Sequence, residues 1–196
     1  KITHKLKPIF IIGFPRCGST LVEKIIASTN IPIPMGEEAS VLTPVIANTL
    51  NKNDFLEKDI DNFEFKVYQS YKQKGLIQEK NDYCFTDKTL DNFFYINIIK
   101  KIFPLAKIVN CKRNPISSII SLLKNNLLDI SWAHNLEHIF KFYDNYYSII
   151  EKFKKKYPDF IYELEYEKFV SNPILESQQL INYCSLEWNE KCLEFY

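Results

Sequence analysis

The sequence predicts a three-layer α/β protein with a central parallel sheet flanked by helices, and three observations carry that prediction. Pro8 to Phe14 (PIFIIGF) is a short, nearly continuous apolar run rich in Ile and Phe, the composition of a strand buried on both faces. Helical spacing follows at Leu21 to Ser28 (LVEKIIAS). The same order of strand then helix returns at Lys107 to Cys111 (KIVNC) and Ile116 to Leu128, with Asn114-Pro115 opening the helix where the missing Pro N–H costs nothing.

The other elements fill in between these units. Glu38 to Leu50 and Asp61 to Lys72 read as helices, Asp82 to Phe85 (DYCF) as a short strand, and Asp91 to Phe103 as an amphipathic helix ended by Pro104. His134 to Lys156 reads as a long helix, Phe160 to Leu164 as a late strand and Pro173 to Cys184 as a last helix. Alternating strands and helices imply parallel pairing with both sheet faces covered. No repeat, low-complexity tract or Gly/Ser/Pro-rich linker divides the chain, so 1–196 is expected to form one domain. A strand beginning so soon after Lys1 leads us to expect a piece of a longer protein, with a segment before Lys1.

Composition narrows the function. The 25 basic and 24 acidic residues are spread along the chain and leave a net charge of +1, which gives no field for nucleic acid or an anionic membrane. An anion must then be held by local geometry. The longest apolar runs, such as Ile9 to Phe14, fall far short of the roughly 20 residues of a membrane helix. The 5 cysteines, Cys17, Cys84, Cys111, Cys184 and Cys192, are scattered and never form a CxxC pair, so neither a disulfide framework nor a zinc site is signalled and a reducing, cytoplasmic setting is expected. Lys is abundant, yet Arg occurs only at Arg16 and Arg113. Arg supplies a planar fork of donors that grips phosphate oxygens bidentately, which Lys does not.

Arg16 lies in Gly13-Phe-Pro-Arg-Cys-Gly18-Ser19-Thr20, a P-loop frame between a strand and a helix with Ser19 in the usual Lys position. Backbone N–H groups of such a loop still cradle an anion. Without the Lys that reaches β and γ phosphates, the expected ligand carries a 5′ phosphate whose far substituent is not a magnesium-bound γ phosphate. Arg113 likewise follows a strand and precedes a helix on which Ser121 lies about two turns in.

Pro15 to Ser28 (PRCGSTLVEKIIAS) resembles the PRSGTTLVEQIL segment of sulfotransferases that use 3′-phosphoadenosine-5′-phosphosulfate (PAPS), particularly those associated with tetratricopeptide repeats and the protein-tyrosine sulfotransferases. That resemblance implies that Arg16, Cys17, Gly18, Ser19, Thr20 and Leu21 hold the 5′-phosphosulfate end. Cys17 replaces the usual Ser, which removes one hydroxyl donor and keeps the backbone donors. The Arg113 to Ser121 segment is similar to the family's site for the 3′ phosphate, and Tyr166 in Glu163-Leu-Glu-Tyr166-Glu167 resembles a Tyr beside the nucleotide. Lys88, after the DYCF strand, matches a Lys that contacts the transferring group and the departing phosphate. Gly36-Glu37-Glu38 resembles the segment that supplies the catalytic base; we favour Glu38 and keep Glu37 as the alternative. The family uses PAPS as co-substrate, releases adenosine 3′,5′-bisphosphate and needs no metal. The implied partner is an acceptor hydroxyl on a small alcohol, a carbohydrate or a protein tyrosine; a eukaryotic-type tyrosine enzyme would place the chain in the Golgi lumen instead.

Two other readings compete. A P-loop kinase or NTPase would need Lys at position 19 and an acidic magnesium ligand ending a neighbouring strand, where this chain has Ser19 and Asn110-Cys111-Lys112. A nucleotide-binding module without catalysis is the other. His134 and His138 are four apart on the expected helix, but no carboxylate or Cys pattern completes a metal site.

Overall fold

The computed structural model describes residues 2–50, 59–125 and 130–194. Four strands, β1 (Lys7–Gly13), β2 (Cys84–Asp87), β3 (Lys107–Lys112) and β4 (Ile161–Glu165), form one sheet in the order β2-β1-β3-β4. Every pairing is parallel. The helices are α1 (Ser19–Ala27), α2 (Leu42–Leu50), α3 (Asp59–Gln73), α4 (Ile96–Ile102), α5 (Pro115–Asn125), α6 (Leu136–Lys156), α7 (Tyr166–Ser171) and α8 (Pro173–Tyr183).

Alternation along the strands divides the core into two layers. Phe10 and Ile12 of β1 pack with Phe85, Ile108 and the buried faces of α3, α4 and α6, through Val67, Ile99 and Ile150. Ile9 and Ile11 face the other way, onto Val109 and Leu164 and the α1 and α8 residues Ile25, Ile26, Leu180 and Ile181. Each fully buried Ile or Phe contributes about 1.5–3 kcal/mol relative to exposure, so the sheet is the stable frame from which the loops project. The register aligns Gly13 with Cys111 and Lys112 with Glu165. The chain therefore leaves β1, β3 and β4 at one edge, where open α/β sheets bind ligands.

Several boundaries differ from the sequence expectation. The helix expected from Glu38 starts only at Leu42, because Glu37 (φ 45°) and Ser40 (φ 49°) are left-handed and the Ser40 N–H donates to Thr89 Oγ1 at 2.8 Å. Asp91 to Phe103 divides into a 3-10 turn, Leu90–Tyr95, and α4. Asp82 and Tyr83 are also left-handed (φ 52° and 59°), so β2 begins at Cys84 and runs on to Asp87. His134 closes a separate 3-10 turn, and α6 starts at Leu136 behind Asn135, whose Oδ1 accepts from the His138 N–H. The last part of the expected Ile116 to Leu128 helix, 126–128, lies outside the described residues. Helix α7 was not expected at all. Among the described residues, no helix is long and apolar enough to cross a membrane.

Candidate active site

The turn from β1 into α1 has two left-handed residues, Arg16 (φ 69°) and Gly18 (φ 95°). Gly18 is required twice over, by its backbone conformation and because a Cβ there would lie 2.7 Å from the Tyr166 ring. The Gly18 carbonyl accepts from the N–H groups of Leu21 and Val22 and starts α1. Tyr166 comes at the first residue of α7, directly after β4, which brings its ring over the loop from the far side.

Two arginines join the loops after β1 and β3. Arg113 donates through Nη1 to the Arg16 carbonyl at 3.1 Å, and its guanidinium lies 4.7 Å over the Tyr166 ring. Arg16 donates through Nε to Ser121 Oγ at 3.0 Å. Asn114 fixes the start of α5, its Oδ1 accepting from the Ser117 N–H at 3.1 Å, while its own N–H donates to Glu167 Oε1 at 2.9 Å. Each guanidinium has five N–H donors and spends one in these bonds, leaving the others for an anion.

A cleft of about 980 Å³ opens over this cluster. Arg16, Gly18, Ser19, Thr20, Leu21, Arg113 and Tyr166 line it, together with Glu38, Asp91 and Trp132. Cys17 is 1% exposed and its sulfur points beneath the loop, so only its backbone is placed to meet a ligand. Ser121 stands behind Arg16 rather than on the cleft wall.

The segment carrying the two glutamates is stapled to the end of β2. Thr86 N–H donates to Pro34 O at 3.0 Å, Gly36 N–H to Thr86 Oγ1 at 3.1 Å and Lys88 N–H to Glu37 O at 2.7 Å. Gly36 approaches so closely that a Cβ would sit 2.2 Å from the Thr86 carbonyl oxygen. Gly36→Ala must therefore move backbone, and denaturant titration is expected to show a loss of about 1–3 kcal/mol. Glu38 reaches the cleft and accepts from Lys88 Nζ at 3.2 Å; the Lys side chain is 8% exposed and the Glu side chain 73%. Glu37 does not line the cleft.

One buried carboxylate went unread in the sequence. Glu23, 2% exposed on α1, accepts at Oε1 from the Thr86 hydroxyl at 2.6 Å and from the Glu37 N–H at 3.0 Å. It ties α1, β2 and the glutamate segment together. The signal was a Glu inside the apolar LVEKIIA run, on the same helix as the buried Val22, Ile25 and Ile26. Burial raises its pKa, opposed by the Thr86 bond and the Lys88 charge. With the folded value above the ordinary one, its stabilising contribution is complete below pH 4.5 and is lost as pH rises through the folded value. Glu23→Gln keeps the Oε1 acceptor, so urea midpoints of the variant should fall less than those of the wild type over that rise.

His134 and His138 are both exposed, and His134 lies outside α6, so the spacing does not put the pair on one helix. Asn110 is buried in β3 with its Oδ1 accepting from the Tyr146 hydroxyl at 2.7 Å, a neutral amide where a magnesium-binding acid would be needed.

Comparisons with known proteins bear on the family and the fold. The sequence model of the Sulfotransferase family matches residues 8–190. An uncharacterized protein of Aquifex aeolicus (strain VF5) is 30% identical over 206 residues, covering 97% of this chain and 27% of that protein, so the chain spans little more than a quarter of that relative's length. The sulfotransferase domain of the Synechococcus PCC 7002 olefin synthase has the same fold, with a TM-score of 0.68 at 20% identity over 98% of this chain and 78% of that one. Retinol dehydratase, solved with androsterone and the inactive cofactor PAP, superposes with a TM-score of 0.53 at 11% identity over 98% of this chain and 64% of that one. With a match that runs from β1 past the end of α8, over most of the chain, the chain belongs to the sulfotransferase family.

Proposed function

We propose that the protein transfers a sulfuryl group from PAPS to an acceptor hydroxyl. The observation that carries this reading is the junction of the two arginine loops, Arg113 to the Arg16 carbonyl and Arg16 to Ser121, which makes one site with room for two anions. In this reading the backbone of residues 13–20 and Arg16 hold the 5′-phosphosulfate. Arg113 holds the 3′ phosphate together with Ser121, whose hydroxyl must turn from Arg16 to meet it, and Tyr166 flanks the nucleotide. PAP in the retinol dehydratase structure supports a donor of this class.

Glu38 lines the cleft and is the base: it takes the acceptor proton as the acceptor oxygen bonds to sulfur and the bond from sulfur to the phosphate oxygen breaks. Lys88 and Arg16 stabilise the charge that gathers on the departing phosphate, so the chemistry is positioning and electrostatic stabilisation in an in-line transfer. The acceptor cleft beside Asp91 and Trp132 admits a hydroxyl of small-molecule, carbohydrate or tyrosyl origin.

Mass spectrometry of products, after incubating the full-length protein with PAPS and an extract of its own cell, should show adenosine 3′,5′-bisphosphate together with a sulfated acceptor. Turnover of ATP in place of PAPS would favour the kinase reading, and tight binding without products would leave a nucleotide-binding module. Arg113→Ala should weaken adenosine 3′,5′-bisphosphate far more than AMP, since each charged hydrogen bond lost is worth ~1.5–3 kcal/mol. Calorimetry of both ligands on both proteins checks this.

A further inference from the structure

Two thiols lie beneath the loop between β1 and α1. Cys17 and Cys111 are each 1% exposed. Both border the point where a Gly13 Cβ would stand, Cys17 through Sγ at 2.7 Å and Cys111 through Cβ at 3.4 Å. The absence of a side chain on Gly13 leaves the space between them. A hydrogen bond from Cys111, aided by bonds from Ser19, lowers the Cys17 pKa in spite of burial, whereas Cys111 is pushed well above the usual thiol range. Cys17 is thus the more acidic thiol of the pair and Cys111 the less acidic, an asymmetry that suits attack by one sulfur and resolution by the other.

A cavity of about 30 Å³ adjoins the pair, lined also by Asn110, Ser118, Tyr146 and the exposed Tyr147. A water molecule needs about 10–15 Å³, so the cavity admits an oxidant the size of hydrogen peroxide. Cys84 and Cys184 border a different cleft at the opposite end of the strands, and burial raises the pKa of both.

We infer that Cys17 and Cys111 are an oxidative modification site, at which hydrogen peroxide closes a disulfide beneath the phosphate loop and turns nucleotide binding off. Cys17 thiolate attacks one peroxide oxygen and breaks the O–O bond, giving a sulfenic acid and hydroxide. Cys111 sulfur then attacks Cys17 sulfur, and the displaced hydroxide leaves as water. The two thiol protons end on the two oxygens, and in total two thiols and one peroxide give one disulfide and two waters. A disulfide holds its Cβ atoms about 3.5–4.5 Å apart, which draws Cys17 toward β3 and with it the left-handed neighbours Arg16 and Gly18. Each charged hydrogen bond to phosphate lost in this way weakens binding by roughly 10- to 100-fold, so affinity for adenosine 3′,5′-bisphosphate should fall by about that factor.

The effect on nucleotide rests on the proposed donor site, but the bond formation does not, and the experiment separates them. The full-length protein is treated with hydrogen peroxide, the remaining thiols are alkylated in denaturant, and tryptic peptides are mapped. The expected product links Cys17–Lys24 to Ile108–Lys112. In parallel, calorimetry should show the reduced protein binding adenosine 3′,5′-bisphosphate, the oxidised protein binding it weakly, and dithiothreitol restoring it. Cys111→Ala should bind as the wild type does and keep its affinity after peroxide. Recovery of both peptides alkylated, a disulfide between other cysteines, or an intact affinity in the linked protein would overturn the inference. So would an equal loss in Cys111→Ala; should that variant fail to fold, the wild-type map and affinities decide. No binding by the reduced protein would count against the donor reading, and the peptide map would still decide whether the disulfide forms.

Discussion

Glu38→Gln is expected to lower turnover by ~10²- to 10⁴-fold, the usual contribution of a positioned general base, while nucleotide affinity stays close to wild type. The amide keeps the length and shape of the carboxylate and removes its capacity to take the acceptor proton. Glu37→Gln should leave the rate near wild type, because the Glu37 backbone, through its carbonyl to Lys88 and its N–H to Glu23, holds the segment while its side chain lies off the cleft. Steady-state rates and separately measured nucleotide affinities decide between the two. A large loss confined to Glu37→Gln would move the base by one residue, and normal rates in both would mean that neither carboxylate removes the proton.

Lys88→Met should cost ~10²- to 10³-fold in turnover, the range for removing one donor from a preorganised charge-stabilising site. Met preserves most of the packing of a side chain that is 8% exposed, so the loss reports charge rather than a cavity. Because Lys88 Nζ lies 3.2 Å from Glu38 Oε1, the two substitutions should not be additive, and the double mutant gives their coupling directly. A loss of less than tenfold, fully coupled to Glu38, would make Lys88 a positioning residue for the base.

Much of the frame was legible in the sequence because β1 and β3 are buried on both faces, so β1 appears as an unbroken apolar run and β3 as a short one interrupted only by Asn110. The arginine loops were legible for a different reason: in a chain that otherwise uses Lys, Arg16 and Arg113 stand out, and both follow strands. What could not be read was set by contacts distant in sequence. Glu38 to Val41 carries helical-looking residues, yet bonds from Ser40 to Thr89 and from Gly36 to Thr86 hold the segment against β2 and turn Glu37 and Ser40 left-handed. Glu23 looked like an ordinary polar helix residue until its partners, Thr86 and the Glu37 N–H, were brought to it by the fold. Cys17 occupies a ligand-loop position in sequence, and only the space above Gly13 sends its sulfur toward Cys111 instead of the cleft. Helix α7 is 6 residues long, too short to show a period, and follows β4 without a break.

The proposed two-anion site is tested most directly by titrating adenosine 3′,5′-bisphosphate, AMP and ADP into the protein under one buffer and comparing affinities by calorimetry. If Arg113 and Ser121 serve a 3′ phosphate, the bisphosphate binds at least ~10-fold more tightly than either competitor, the equivalent of one charged hydrogen bond. Equal affinities for the three would contradict a dedicated 3′-phosphate site, and with it the assignment of PAPS as donor.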